Sequence, residues 1–341
     1  MKSRFVASLC LVAGTAGLSI AALAQAPAPA AKSTAPAKPA PDMTTLHVQV
    51  LLDHLGFGPG VIDGRGGLST KLALQGFQRA RNLPVTGEID RPTLRALARY
   101  KAIRPVRTLK VAQSDIAGPF FQIPDKEADQ AKLPALGYAN PLERLAERFH
   151  TTPETIAALN PGGRVAAGVA LRFPNILPAS RDYDAKLKPE WRQTLSMLNV
   201  SAVQPQGDRI VVDKSEGVLK VFAGEKLLAQ FPATMGSEHD PLPLGTWKVQ
   251  GMSYLPPFHY NPDLFWDASS KDEKALLPPG PNGPVGVIWM DLNKPHYGIH
   301  GTPKPETIGR SESHGCIRLT NWDAARVSLM IKPGTPAIFQ A

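Results

Sequence analysis

The apolar residues of the chain change their spacing from region to region, and the first helical spacing lies between residues 43 and 102. Apolar positions such as Leu46 and Val50 recur there every three or four residues, as on one face of a helix. Two stretches rich in Gly and Pro interrupt the pattern, so we predict three short helices. Ser69 and Asp90 are the expected N-caps of the second and third helices.

A second helical pattern covers residues 136–177. It predicts two amphipathic helices joined by a capped turn at residues 151–153, and its flanks, beginning near Tyr138, are expected to pair as strands. The intervening residues 101–136 contain four prolines, which suggests that they separate the two helical units.

A strand pattern replaces the helical one across residues 207–341. Apolar residues alternate or run together between glycines, which predicts a mostly antiparallel, sandwich-like β domain that closes with a helix near residues 322–330 and a final strand. Residues 253–284 hold seven prolines and an aromatic cluster and do not fit this pattern. Two interpretations stay open for that segment, a lid over a groove or a rigid packed loop.

The N-terminus has the features of an export signal. Lys2 and Arg4 precede an apolar run that ends in small residues, which predicts a signal peptide over residues 1–24 that is cleaved on export. An uncleaved anchor helix is the alternative. Residues 25–42 are rich in Ala and Pro and are expected to form a disordered linker. We therefore predict a periplasmic, wall-associated protein with no stable membrane span after signal removal.

The net charge and the cysteine count restrict the possible partners and the possible reactive groups. The 341 residues carry a net charge of +9, but the basic residues are scattered, so a nucleic-acid partner is not expected. Of the two cysteines, Cys10 lies in the signal, which leaves Cys316 alone in the exported chain. A lone thiol in an oxidising compartment suggests a reactive group, the alternative being a buried and inert cysteine.

Histidines near Cys316 favour the reactive interpretation. The cysteine lies two residues after His314 and sixteen after His300, and spacing alone leaves either imidazole as the base that activates the thiol. Gly315 permits a sharp turn, so that the backbone N–H groups of Gly315 and Cys316 can face a developing oxyanion. The pattern indicates acyl transfer. A zinc site that includes His296 is less convincing, because the usual ligand spacings are absent from the sequence.

The motifs GIHGT, IGR and SHGCIR resemble the active-site signature of the L,D-transpeptidases of the YkuD family, and the resemblance extends over about the last 130 residues. It implies that Cys316 is the nucleophile, that His300 is the catalytic base, and that Ser313, His314 and Gly315 shape the turn and the oxyanion site. It implies no metal and no cofactor.

The same resemblance places a substrate groove beside the motif. Four of its residues are expected to contact the substrate: Tyr297, Gly301, Thr302 and Arg318. For Arg318, the residues alone leave two roles open. It either binds a substrate carboxylate or pairs with an acid such as Glu312 or Asp323.

The two helical units also resemble wall-binding modules. Residues 43–102, with LPVTGEID and PTLRAL, are similar to the three-helix peptidoglycan-binding domain of wall enzymes. Residues 136–177 resemble a LysM glycan-binding repeat with a βααβ order, in which residues 139–141 replace the usual Gly-Asp-Thr opening. The expected fold is therefore multidomain α+β. It has an all-α module, a LysM-like segment that either binds glycan or acts as a spacer, and a β catalytic domain.

Together these resemblances imply a peptidoglycan L,D-transpeptidase. The expected donor is a tetrapeptide stem that forms a thioester, and the expected acceptor is an amine of a second stem or of a wall-anchored lipoprotein. The expected partners are stem peptides and glycan. Two alternatives stay open: an L,D-carboxypeptidase or amidase on the same scaffold, and a non-catalytic wall-binding protein.

Overall fold

The computed structural model describes residues 40–266, 268–269 and 271–341. The predicted signal peptide and residues 25–39 of the predicted linker lie outside the described residues. Residues 40–341 form one unit. Among the described helices, none is both long enough and apolar enough to cross a membrane.

The described residues form nine α-helices and thirteen strands. The helices are α1 (Met43–His54), α2 (Leu68–Ala80), α3 (Arg91–Leu97), α4 (Gln113–Ile116), α5 (Glu127–Gln130), α6 (Pro141–Arg148), α7 (Pro153–Leu159), α8 (Pro189–Met197) and α9 (Asn321–Met330). The strands are β1 (Val106–Lys110), β2 (Ala170–Pro174), β3 (Arg209–Asp213), β4 (Val218–Ala223), β5 (Lys226–Pro232), β6 (Thr234–Met235), β7 (Gly245–Tyr254), β8 (Phe258–Tyr260), β9 (Ala275–Leu277), β10 (Ile288–Leu292), β11 (Gly298–His300), β12 (Ile317–Arg318) and β13 (Pro336–Gln340).

The first module contains the three predicted helices, α1 to α3, packed around buried residues that include Leu52 and Phe77. Asp90 caps α3 as predicted, since its carboxylate accepts a hydrogen bond from the Thr93 N–H at 2.9 Å. The prediction for Ser69 is wrong. Helix α2 begins at Leu68, two residues earlier than an N-cap at Ser69 requires; its N-cap is the extended Gly67, and no side chain caps it.

The second module differs from the predicted βααβ order in its first strand. The helices α6 and α7 are present, and Thr152 caps α7. Strand β2, however, pairs with β1 and not with the residues around Tyr138. Val106 and Thr108 favour an extended strand, whereas Tyr138 is buried and bound to Glu147 through its hydroxyl. Strand β1 lies in residues 101–136, the segment expected to separate the two helical units, so part of that segment belongs to the second module.

The third domain, residues 207–341, is built on one sheet. Within the described residues its nine strands run in the order β5-β4-β3-β13-β7-β10-β11-β12-β6, and only the pairs β3–β13 and β11–β12 are parallel. The prediction of a mostly antiparallel domain is thus confirmed. Strands β5 and β6 lie at opposite ends of this order although Ala233 alone separates them in sequence, so the sheet must curl back on itself. Helix α9 covers it with the buried Trp322.

The first module covers the edge strand β5. The Gln230 N–H donates to the Gly56 carbonyl oxygen at 3.1 Å, and the Gln230 carbonyl accepts from the Gly58 N–H at 2.9 Å. Its side-chain amide donates to the Leu72 carbonyl oxygen at 2.7 Å. An edge strand that would otherwise expose unpaired backbone groups is covered by this docking.

A buried charge cluster joins the two helical modules to α9. Asp53 of the first module lies 3.1 Å from His150 Nδ1 of the second and 3.0 Å from the Arg326 guanidinium of α9. Burial opposes ionisation of Asp53, but the charges of Arg326 and His150 outweigh it and hold its pKa below the usual range. Removing one partner of a buried ion pair leaves an uncompensated charge, so we expect the loss of any one of these three side chains to destabilise the docked arrangement.

Candidate active site

Cys316 immediately precedes β12, which pairs with the strand that carries His300. Strands β11 and β12 pair in parallel, with Ile299 opposite Ile317 and His300 opposite Arg318. The thiol is only partly exposed, and it donates to the His296 carbonyl oxygen at 3.6 Å. Two residues of the motif that are distant in sequence therefore become neighbours through strand pairing.

The turn before Cys316 requires glycine. Gly315 has a φ of +88°, which favours a residue without a side chain. A Cβ atom there would lie 2.5 Å from a ring carbon of Tyr297. The ring of Tyr297 therefore packs directly on the turn and restricts the backbone conformation just before Cys316.

Ser313 ties the same turn to the end of β6. Its buried Oγ accepts from the Gly236 N–H at 2.6 Å and donates to the Cys316 carbonyl oxygen at 2.7 Å. A single hydroxyl therefore joins the backbone of Cys316 to that of Gly236, which directly follows β6, and the positioning role of Ser313 stays a prediction.

His300 is buried, and one hydrogen bond sets its tautomer. Its Nδ1 lies 2.7 Å from the Gly301 carbonyl oxygen. Because a carbonyl oxygen only accepts hydrogen bonds, Nδ1 carries the proton, and Nε2 is the basic nitrogen. The indole of Trp289, the cross-strand neighbour of His300, stacks on the imidazole with the two ring centroids 5.4 Å apart.

Burial favours the uncharged forms of both groups. It lowers the pKa of His300 to about 3, helped by the nearby charge of Arg318. Burial also raises the pKa of the Cys316 thiol, and Asp240 adds to this rise, whereas a Gly298 backbone hydrogen bond and Arg318 oppose it. At neutral pH the pair is therefore a thiol and a neutral imidazole rather than a thiolate–imidazolium ion pair.

A cavity of about 600 Å³ opens over these residues. Five of the residues expected in the site line it: Tyr297, His300, His314, Cys316 and Arg318. Gly301 and Thr302 do not line the cavity and are buried. The prediction that these two residues contact substrate is thus unsupported by their placement, because Gly301 packs towards the side chain of Asn321.

The aromatic segment of residues 253–284, which we call the lid, lies over this cavity. Strands β8 and β9 pair within it as an antiparallel hairpin. Tyr260 and Phe265 line the cavity and stack on each other, and Phe265 packs edge-on against His314 with the ring centroids 4.8 Å apart. The segment therefore forms one side of the cavity, and both interpretations, a lid that moves and a rigid packed loop, stay predictions.

The surroundings of Arg318 bear on its two expected roles. Its guanidinium lines the cavity and donates to the Glu312 backbone carbonyl oxygen at 3.2 Å. Asp323 is buried in α9. Burial raises the pKa of Asp323 to about 6, opposed chiefly by the charge of Arg326. Arg318 thus lies in the wall of the cavity, and its role towards a substrate carboxylate stays a prediction.

Two contributors to the site were not predicted from the sequence. Trp289 stacks on His300, and Asp240 lines the cavity beside Cys316. The signal for Trp289 was its place in the apolar run VIWMDL, which becomes informative only once the register of β10 and β11 is known. As for the zinc alternative, the described residues contain no group of three or more His, Cys, Asp or Glu placed to hold a metal ion.

Comparison with known proteins identifies two regions. Residues 207–339 match the model of the L,D-transpeptidase catalytic domain, YkuD, and residues 45–97 match the "Putative peptidoglycan binding domain". The "Putative L,D-transpeptidase YkuD" of Bacillus licheniformis is 27% identical over 197 residues, which cover 57% of this chain and 90% of that protein. The "Putative L,D-transpeptidase YqjB" of Bacillus subtilis is 24% identical, over 40% of this chain and 77% of that protein.

Among solved structures, an L,D-transpeptidase from Mycobacterium smegmatis is 23% identical. The match covers 39% of this chain and 58% of that one, with a TM-score of 0.32, so the assignment rests on the family models and the sequence relatives alone. The chain therefore contains an L,D-transpeptidase catalytic domain of the YkuD family at residues 207–339, preceded by a peptidoglycan-binding domain at residues 45–97.

Proposed function

We propose that the protein is a peptidoglycan L,D-transpeptidase that transfers an acyl group from a tetrapeptide stem to an acceptor amine through a thioester on Cys316. One observation carries the proposal. The Gly301 carbonyl fixes the proton of His300 on Nδ1, which makes Nε2 the basic nitrogen in a cavity shared with the only cysteine of the described residues.

Acylation starts from the neutral pair. As Cys316 Sγ attacks the carbonyl carbon before the terminal D-residue, Nε2 of His300 takes the thiol proton, so that no charged sulfur forms in advance. The backbone N–H groups of Gly315 and Cys316 stabilise the oxyanion. The C–N bond then breaks, the departing amine takes the proton back from Nε2, and a thioester remains.

Deacylation repeats these steps with an incoming amine. The acceptor nitrogen attacks the thioester carbon, His300 takes a proton from the nitrogen, and Cys316 leaves and is reprotonated. The lid lies over the cavity and limits the access of water, which favours transfer to an amine over hydrolysis. The exchange of one amide for another is nearly balanced in energy, so the proposed reaction needs neither a cofactor nor a metal.

Arg318 is the proposed partner of the substrate carboxylate. Arg318 lines the cavity, and a guanidinium is a planar fork that suits a terminal carboxylate. The peptidoglycan-binding domain would bring the enzyme to the wall, and the predicted export would place it in the periplasm. A lysine amine of a wall-anchored lipoprotein is a second proposed acceptor.

Incubation with purified disaccharide tetrapeptides tests the proposal. The wild type is expected to release the terminal D-residue and to form crosslinked dimers between the third residues of two stems, as detected by mass spectrometry. Cys316→Ala should form none. The matched control is Gly251→Ala, because a Cβ atom at Gly251 meets no heavy atom within 4 Å.

The other outcomes separate the alternatives. Shortened stems without dimers, also in the presence of an added amine, would identify an L,D-carboxypeptidase. Stems cut within their length would identify an amidase. A wild type that changes no stem peptide and forms no thioester would leave the chain as a wall-binding protein and overturn the proposal.

A further inference from the structure

A buried carboxyl group of the second module reaches the active-site base through one intermediate side chain. We propose that Glu147 of α6 is a positioning residue for His300 and acts through Asn321 of α9. The inference rests on the proposed function, since it assigns the module a part in the same reaction. It makes the second module a component of the active-site scaffold.

The first step is the contact between Asn321 and Gly301, whose carbonyl orients His300. Asn321 Oδ1 occupies the place where a Cβ atom of Gly301 would lie, 2.1 Å from it, and it similarly fills the place of a Cβ atom of Gly286. The same oxygen accepts from the Val287 N–H at 3.1 Å. The Gly301 peptide therefore packs directly on this carboxamide, and a shift of the amide moves the acceptor of the His300 proton.

The second step is the contact that fixes the carboxamide. Asn321 Nδ2 donates to Glu147 Oε1 at 2.7 Å and to the Pro281 carbonyl oxygen at 3.1 Å. Both of these atoms accept, so the amide nitrogen must face them, and the amide oxygen must face Val287. A flipped amide would set its oxygen against the carboxyl group of Glu147 and its nitrogen against the Val287 N–H.

The third step is the anchoring of Glu147 itself. Its carboxyl group is buried, and its second oxygen accepts a hydrogen bond from the Tyr138 hydroxyl. Burial raises the pKa of Glu147 to about 7, opposed by the hydrogen bonds from Tyr138 and Asn321. A buried polar network rigidifies its surroundings when each member is satisfied, and it becomes costly when one partner is lost.

The test compares two substitutions of Glu147 in the full chain. Glu147→Leu removes the acceptor, and we expect kcat to fall by about 10- to 100-fold with little change in KM, because misplacing a catalytic group by about 1 Å can cost about 100-fold. Glu147→Gln should restore near-wild-type kcat. Its amide oxygen can accept from Asn321 while its nitrogen donates to the Tyr138 oxygen.

A pH profile separates positioning from loss of structure. The rate at which a β-lactam acylates Cys316 should be depressed most in Glu147→Leu near neutral pH, where the base must take the thiol proton. The defect should shrink at high pH, where hydroxide ionises the thiol without help. A fall by the same factor at every pH would indicate a smaller folded fraction and would overturn the inference.

Glu143→Leu is the matched control. Glu143 lies one turn earlier on α6 and accepts from Asn282 Nδ2 at 2.7 Å, so the control also weakens the docking of the module, but without the contact to Asn321. We expect it to keep near-wild-type kcat. An equal fall in Glu143→Leu would assign the effect to docking in general and refute the specific role of Glu147.

Asn321→Ala serves as the second variant if Glu147→Leu does not fold. Asn321→Ala should lower kcat by the same route. Where both single variants fold, the kcat of the double variant should be no lower than that of either single variant. Unchanged kcat in folded Asn321→Ala would refute the inference. Failure of the wild type to form dimers or a thioester would instead count against the proposed function, so the two failures are distinguishable.

Discussion

The two sides of the active-site cavity are built differently. On one side, residues 296–318, which we call the nucleophile wall, hold Ser313 and His300 at 2% and 4% exposure and fix them by hydrogen bonds to backbone groups. On the other side, the lid exposes more than half of the side chains of Leu264, Trp266 and Leu276. Changes in the wall should therefore alter the chemical step, and changes in the lid should alter binding.

The largest expected effect comes from Gly315→Ala in the nucleophile wall. The added methyl group would meet the Tyr297 ring at 2.5 Å on a backbone with a φ of +88°, so the turn that presents Cys316 must move. We expect a fall in kcat of about 100-fold or more. The rate of dimer formation by Gly315→Ala is compared with that of the control Gly251→Ala. A near-wild-type kcat in Gly315→Ala would show that the turn accepts a side chain without displacing Cys316.

Ser313→Ala should have an intermediate effect. It leaves the Gly236 N–H and the Cys316 carbonyl oxygen without the hydroxyl that joins them, at a cost of about 1–3 kcal/mol for buried groups. We expect kcat to fall by about tenfold. Ser311→Ala removes an exposed hydroxyl two residues earlier and is the control. Equal kcat in both variants would argue against a positioning role for Ser313.

A lid substitution should change KM more than kcat. Phe265→Ala removes a ring that lines the cavity and packs on His314, an aromatic contact of about 0.5–1.5 kcal/mol. We expect KM for the stem peptide to rise by up to about tenfold while kcat stays within about twofold. Leu276→Ala, on an exposed part of the lid, is the control. A large loss of kcat would place the lid in the chemical step.

The smallest expected effect is on the pH dependence of the free energy of unfolding, and it comes from Glu147, the residue proposed to position His300 in the nucleophile wall. The pKa of Glu147 is about 7 in the folded protein, above its ordinary value of 4.5. Between these values the folded state keeps the proton and the unfolded state loses it, so the group makes the free energy of unfolding fall as pH rises, by up to ~1.4 kcal/mol per pH unit.

Glu147→Gln should remove this contribution. Denaturant unfolding of both proteins from pH 4.5 to 7 measures it, and the stability of the variant relative to the wild type should increase with pH. Parallel stability curves would mean that the carboxyl group of Glu147 titrates alike in the folded and unfolded states.

Local patterns allowed much of the fold and site to be predicted. Helical spacing predicted the three helices of the first module, and the motif predicted that Cys316 and His300 belong to one site; both residues line the same cavity. Contacts between distant segments were not predictable in this way. Strand β1 pairs with β2 across the helices, and Asn321 and Glu147 are 174 residues apart. The neutral state of the catalytic pair also depends on burial, which a local motif does not specify.

The charge state of the resting pair is the central claim, and the pH dependence of Cys316 alkylation by iodoacetamide tests it most directly. A neutral pair predicts that the rate rises about tenfold per pH unit from pH 5 to pH 9 without a plateau, because only the thiolate reacts and the pKa of the thiol lies above its usual value. A fast plateau between pH 5 and pH 8 that disappears in His300→Ala would reveal a thiolate–imidazolium pair and contradict the account.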